Sequence, residues 1–311
     1  MTKGAKPIAA LWSRAYLLLT MTALFWAGNS IVGRAARELV PPAALSFWRW
    51  AIALSLLLPL AWPHLKRDWP VLRANWPILL LFGTLGIGAF NTLLYAGLQT
   101  TTALNSMMLQ SAQPALILMV GALVMHDRTS ARQVAGVLVS LAGVLAIISR
   151  GDIGALFGLD LNAGDAIIGV AVVLWAIYSV FLRRRPAVHP LSLLAASVAI
   201  GVVAISPVYA AELWSGRRIV PAWESGLAIA YVSIFPSFLA YLFFNRGVEL
   251  IGSAATGQYL NVMPLMGAGL AMLFLGESLY PFHVAGLTLV VAGIVLAGRG
   301  APPAPVAGGS R

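Results

Sequence analysis

The chain has no cysteine among its 311 residues, which removes disulfides and thiolate metal sites at once. Charge is also scarce. Asp, Glu, Lys and Arg make up 10% of the residues, against about 25% in a soluble globular chain. With 60% hydrophobic residues, the composition is that of a polytopic helical membrane protein with no room for a soluble catalytic domain. Carboxylates are absent from the interiors of the apolar runs: Glu249 and Glu277 fall at run ends, and His64, His126, His189 and His283 fall at ends or in loops. That argues against a carboxylate-based proton or sodium relay. It also removes the paired aspartates of an intramembrane protease, and no Ser–His pair meets at depth. No Walker-type phosphate loop is present. No enzyme activity, cofactor or metal site is therefore expected. The formal charge of +10 raises the question of nucleic acid. The positive residues cluster at run ends, as membrane topology requires, so the expected partner is the lipid bilayer and not nucleic acid.

What is present is long apolar runs. Ten spans are expected at about 16–36, 43–62, 77–98, 103–125, 132–149, 164–182, 189–211, 223–245, 253–275 and 281–298, near the roughly 20 residues that cross a bilayer. Pro41-Pro42, Pro63, Pro77, Pro186, Pro190, Pro221 and Pro281 punctuate the ends. Residues 1–15 read as a cytoplasmic segment, and the Pro/Ala/Gly-rich tail 299–311 as disordered. With the N-terminus inside, 14 of the 20 Lys and Arg residues face the cytoplasm and 5 face out, with Arg49 inside a span. The positive-inside rule therefore puts both termini in the cytoplasm. The absence of cysteine fits a bacterial inner membrane.

The chain also contains itself twice. At an offset of 150, Gly97 falls on Gly247, Pro114 on Pro264, and Asp127 on Glu277. Ala135-Gly136 falls on Ala285-Gly286, and Ala142-Gly143 on Ala292-Gly293. This gives a first repeat over 16–149 and a second over 164–298. An odd number of spans per copy makes the second copy enter the membrane upside down. The expected fold is all-α: ten transmembrane helices in two inverted five-helix repeats around a central cavity, an arrangement common among secondary transporters.

Polar residues inside the spans mark the candidate site. Trp26, Asn29, Ser30 and Gly33 share one face of the first span, and Trp175, Tyr178, Ser179 and Leu182 repeat that face in the sixth. Either these faces form a cavity with an aromatic wall or they are interhelical packing. Asn91 with Tyr95, and Tyr241 with Asn245, lie at i, i+4 in the third and eighth spans. They either bind a zwitterion or satisfy each other. In the fourth and ninth spans, Asn105, Gln110, Ser111, Gln113 and Pro114 face Thr256, Gln258, Tyr259, Asn261 and Pro264. Pro114 and Pro264 are read as mid-helix kinks, either hinges or static bends. Arg49 either holds a substrate carboxylate or, as the favoured reading, snorkels to the outer headgroups beside Trp48 and Trp50. Gly136, Ser140 and Gly143, with Gly286 and Gly293, are assigned to close helix packing.

These residues carry a family resemblance over nearly the whole chain. Leu24-Phe25-Trp26-Ala27-Gly28-Asn29 resembles the first-span motif of the drug/metabolite transporter superfamily, EamA type. Phe47-Trp48-Arg49 resembles its second-span arginine motif. Pro114, Asp127, Gly136 and Gly143, with Pro264, Glu277, Gly286 and Gly293, resemble its duplicated signature. Asp127 stands where a glutamate is more usual. Within the family the chain is most similar to the YddG aromatic amino-acid exporters. The resemblance implies export of amino acids, metabolites or drugs. The resulting expectation is an inner-membrane exporter of neutral, aromatic amino acids working by facilitated alternating access. Asn29, Asn91, Tyr178, Ser179 and Tyr241 would hydrogen-bond the substrate, and Trp26, Trp175 and Tyr95 would form the apolar wall. Other small metabolites or drugs in the same fold, and a non-transporting scaffold or receptor, are the alternatives. Oligomeric state is left open, with a monomer admissible.

Overall fold

The computed structural model describes residues 12–127, 129–152, 162–252, 256 and 259–298, with the side chains of 261 and 298 excepted. The expectations for residues 1–11, Gln258 and the tail 299–311 lie outside them. Every regular element among the described residues is helical. In chain order these are α1 (Ala15–Ala35), α2 (Pro42–Ala74), α3 (Trp76–Leu81), the π-helix π1 (Phe82–Ala89), α4 (Phe90–Gly97), α5 (Ala103–Gln110), α6 (Gln113–Val124), α7 (Ala131–Ile148), α8 (Ala163–Phe181), α9 (Pro190–Trp214), α10 (Trp223–Ser233), π2 (Ile234–Leu239), α11 (Ala240–Ile251), α12 (Met263–Leu275) and α13 (Pro281–Gly298).

Seven helices are long and apolar enough to cross a membrane, counting α3–π1–α4 and α10–π2–α11 as one each. An eighth is α5 with α6, bent by 42° at the break between them. The apolar helices α12 and α13 are shorter.

Local proline signals mislead in two places. Pro63 does not end α2, which runs to Ala74 with Pro59, Pro63 and Pro70 inside it. The extension is held from outside: Asp68 accepts the His189 N–H at 2.9 Å, and Leu72 packs on Leu79 and Phe82. Pro114 adjoins the 42° bend between α5 and α6, but neither Pro114 nor Pro264 lies mid-helix. Each is the second residue of a new helix, where a missing N–H leaves no intrahelical bond unmade. The helix is broken before the proline, at Ser111 and Ala112 in one case and by a 3₁₀ turn, Leu260–Val262, in the other. The eighth expected span also runs six residues further, to Ile251. Gly252 ends it at φ +83°, a conformation suited to glycine.

Small residues set the closest helix contacts. Helices α7 and α13 cross antiparallel. A Cβ on Gly136 would lie 2.5 Å from the Gly293 carbonyl oxygen, and one on Gly143 would lie 2.5 Å from that of Gly286. Between these contacts Ser140 Oγ donates to Val290 O at 3.2 Å. Helices α2 and α9 cap each other. Glu212 near the end of α9 accepts the N–H groups of Ala43 and Ala44 at 3.3 and 2.8 Å, while Asp68 of α2 accepts the N–H of His189, which caps α9. A carboxylate at a helix N-terminus satisfies donors that have no partner within the helix.

Candidate functional site

The helices enclose a cavity of about 670 Å³, within the range of small-molecule sites. Its walls come from α1, α2, α4, the α5–α6 break, α8, α11, the start of α12, and α13. Two aromatic groups line it. On one side Trp26 meets Tyr241 edge-on at 5.7 Å and Phe244 at 5.7 Å. Its indole N–H donates to Pro236 O in π2 at 3.0 Å, fixing the ring. On the other side Trp175 lies 4.7 Å from Phe90 and 5.0 Å from Tyr178. Gly86 of π1 leaves the room that Tyr178 occupies, since a Cβ there would lie 2.6 Å from the ring.

The polar residues are not all where the spacing placed them. Trp26, Asn29, Asn91, Trp175, Tyr178, Ser179, Tyr241, Pro114 and Pro264 line the cavity, and so do Gln110, Ser111 and Gln113. Ser30 and Tyr95 do not: both are 1% exposed and packed behind the wall. Asn105 also lies off the cavity. Ser179 returns its hydroxyl to Trp175 O of its own helix at 2.7 Å. Among the described residues the hydroxyls of Tyr178 and Tyr241 have no hydrogen-bond partner, which leaves them free to serve a ligand.

Arg49 overturns the snorkelling reading. It is 3% exposed and lines the cavity. Its Nε donates to Ser237, and its Nη1 donates to Asn29 Oδ1 at 3.0 Å, Asn91 Oδ1 at 2.7 Å and the Tyr95 hydroxyl at 2.8 Å. Tyr95 in turn donates to Asn29 Oδ1 at 2.6 Å. The guanidinium carbon lies 4.7 Å from the centre of the Trp50 ring. Asn29, Asn91 and Tyr95 are therefore engaged with a protein cation. Burying an ion carries an effective penalty of several kcal/mol, which these neutral acceptors offset in part. Ser237 is placed by π2: its hydroxyl donates five residues back, to Val232 O, at 2.6 Å.

Beyond Arg49, further contacts tie the helix ends together. Arg34 Nη1 donates to Leu98 O at 2.8 Å and Gln99 O at 3.1 Å. Glu277 follows Gly276, which ends α12 at φ +63°, and caps α5 through the N–H groups of Ala103 and Leu104 at 2.8 and 2.7 Å. Asp165, fully buried in the first turn of α8, accepts from Thr101 and from Asn105 Nδ2. Asn105 Oδ1 accepts from His283 Nε2 at 2.7 Å, because Nδ1 of that ring already accepts the Tyr280 N–H. The sequence pattern puts His283 at a span end, where it is; Asp165 carried no signal in the sequence pattern and emerges only from the fold. The ends themselves are buried against α5. At the opposite end, a shallower depression lined by Ser179, Leu182, Arg183 and Arg185 adjoins the cavity, and Arg183 pairs with Asp127 at 2.8 Å.

Apolar helices around a part-polar cavity that adjoins a depression are the arrangement a membrane transporter needs. The model of the EamA-like transporter family matches residues 13–149 and again residues 162–299. The chain belongs to that family. It is 28% identical over 289 residues to the uncharacterized transporter YyaM of Bacillus subtilis (strain 168), covering 91% of this chain and 92% of the relative. It is 25% identical over 290 residues to a probable amino-acid metabolite efflux pump of Salmonella typhimurium (strain LT2), covering 90% and 93%. The uncharacterized inner membrane transporter YicL of the same bacterium is 23% identical over 227 residues, covering 70% and 71%. A solved crystal structure shares the fold at a TM-score of 0.64 and 20% identity, covering 94% of this chain and 99% of the other.

Proposed function

We propose that this chain is a bacterial inner-membrane exporter of neutral, aromatic amino acids that works by alternating access. The observation that carries the reading is the cavity between two aromatic groups, one around Trp26 and one around Trp175, with the free hydroxyls of Tyr178 and Tyr241 beside them. An aromatic side chain fits between the rings, and the hydroxyls meet its polar end. The efflux relative from Salmonella supports an amino-acid cargo and an outward direction, and YicL supports the inner membrane.

Ten spans in two inverted repeats remain the architecture of choice. The antiparallel crossing of α7 with α13, its counterpart at offset 150, supports inversion. On the positive-inside assignment both termini are cytoplasmic, and the cavity adjoins the cytoplasmic depression at Arg183 and Arg185. Export then begins from this state and ends when the Arg49 end opens. No carboxylate lines the cavity among the described residues, which supports facilitated transport. A cavity of this size counts against a non-transporting scaffold, whose Trp26 and Trp175 faces would pack solidly.

The test is counterflow in proteoliposomes with labelled amino acids. Phenylalanine and tryptophan should exchange. If phenylalanine, tryptophan and threonine all fail, the amino-acid reading falls. If an imposed pH gradient drives uphill transport, the facilitative mode falls.

A further inference from the structure

We infer that Arg49 is the carboxylate-binding residue of the cavity, so that the transported molecule carries an anionic carboxylate. The inference rests on the cavity being a substrate site. The guanidinium is almost wholly removed from solvent and yet forms part of the cavity wall. Its hydrogen bonds use Nε and Nη1. Among the described residues Nη2 has no partner, although it carries two N–H groups. All four partners, Ser237, Asn29, Asn91 and Tyr95, are neutral. No Asp or Glu among the described residues lies within ion-pair distance of it.

An unused donor edge, an uncompensated charge and open space thus meet at one point. A cation out of water attracts an anion far more strongly than an exposed one does, and the free Nη2 can donate a charge-assisted hydrogen bond to a carboxylate oxygen. A zwitterionic amino acid places its carboxylate on Nη2 and its side chain between Trp26 and Trp175. Its ammonium faces the rings and hydroxyls of Tyr178 and Tyr241. The same charge repels amines that lack a carboxylate, so polyamines and cationic drugs are poor cargo for this site. Asn29 and Asn91 become positioning residues: they hold the guanidinium and do not touch the ligand's carboxylate.

The experiment measures binding to purified full-length protein by isothermal titration calorimetry with two matched pairs. One pair is 3-phenylpropionate and 3-phenylpropionamide; the other is L-threonine and L-threoninamide. In at least one pair the carboxylate should bind at least tenfold tighter than its amide. Arg49→Gln should reduce that ratio to about threefold or less. Arg49→Lys, which keeps the charge but cannot be held by Ser237, Asn29 and Asn91 while presenting a second nitrogen to the ligand, should weaken the carboxylate about tenfold. The wild-type ratio is itself decisive should Arg49→Gln fail to fold. The inference is overturned if amide and carboxylate bind alike in the wild type, if folded Arg49→Gln keeps the ratio, or if no carboxylate binds. Discrimination seen only with threonine supports Arg49 and removes the aromatic specificity, so the two readings fail separately.

Discussion

Gly143→Ala tests the helix packing most directly. Its Cβ would lie 2.5 Å from the Gly286 carbonyl oxygen and 2.9 Å from Val290 N. Both neighbours are backbone, so no side-chain rotation relieves the contact. Ordinary contact begins at 3.4 Å, and the shortfall of about 0.9 Å has to come from parting α7 and α13. Overpacking of this kind costs about 1–3 kcal/mol, and alanine's better helix propensity returns about 0.5–1 kcal/mol. Mid-range values leave a net loss of about 1 kcal/mol, with the Ser140–Val290 hydrogen bond stretched as the helices separate. Gly269→Ala is the control, because a Cβ there meets nothing within 4 Å. The assay is a melting curve on detergent-purified protein, read as the monodisperse peak surviving each temperature. Gly143→Ala should melt lower than wild type, and Gly269→Ala at or above it. If Gly143→Ala melts at the wild-type temperature or higher, the two helices do not touch through backbone and the crossing is misplaced.

Three further outcomes follow from other contacts. Tyr178→Phe and Tyr241→Phe each remove a free hydroxyl from the cavity, and should lower the counterflow rate severalfold with unchanged melting temperature; wild-type rates in both would remove the hydroxyls from the site. Glu277→Ala takes the acceptor from the first N–H groups of α5 and should lower stability by about 1–2 kcal/mol, an unchanged melting curve showing the cap to be dispensable. Burial, and then the stacked His64 ring at 3.6 Å, hold His189 below the ordinary histidine pKa, with Arg67 lowering it and Asp68 and Glu249 raising it. The folded state therefore favours the neutral ring, which caps Leu191 through Nδ1. Its contribution is present above the unfolded value of about 6.5 and is lost as pH falls through the lower folded value. His189→Asn should flatten the acid side of the melting-temperature profile between pH 7 and 5, and an identical slope would refute the assignment.

Periodicity made the cavity faces legible, because i, i+3 spacing in a helix puts Trp26 with Asn29 and Trp175 with Tyr178 on one side each. Pairing was not legible. Asn29, Asn91, Tyr95 and Ser237 come to Arg49 from three separate elements, α1, α4 and π2, and no local pattern reports such an encounter. Seven residues of depth suits a snorkelling arginine as well as a buried one; the direction in which α2 presents the side chain decides, and tertiary packing sets that. The break at Ser111–Ala112 was hidden for a related reason. Pro114 announces a disturbance, but whether a helix bends or stops depends on what its neighbours leave room for. Pro63 makes the converse case, since contacts with His189, Leu79 and Phe82 carry α2 past it.

The α7–α13 seam has a further consequence. Shifting by 150 residues turns the contact of Gly136 with Gly293 into the contact of Gly286 with Gly143, so each half of the seam is the image of the other. That is the form of an isologous interface, the kind two identical subunits make around a two-fold axis. A helix of this type is complementary to a second copy of itself. A half-length chain carrying such a helix would need no separate partner, only a second copy of itself related by the two-fold axis. Joining two copies in one gene makes the pairing independent of concentration, and it lets one copy change without the other. Arg49 stands opposite Ala199 at that offset, so this membrane-buried cation belongs to one copy alone.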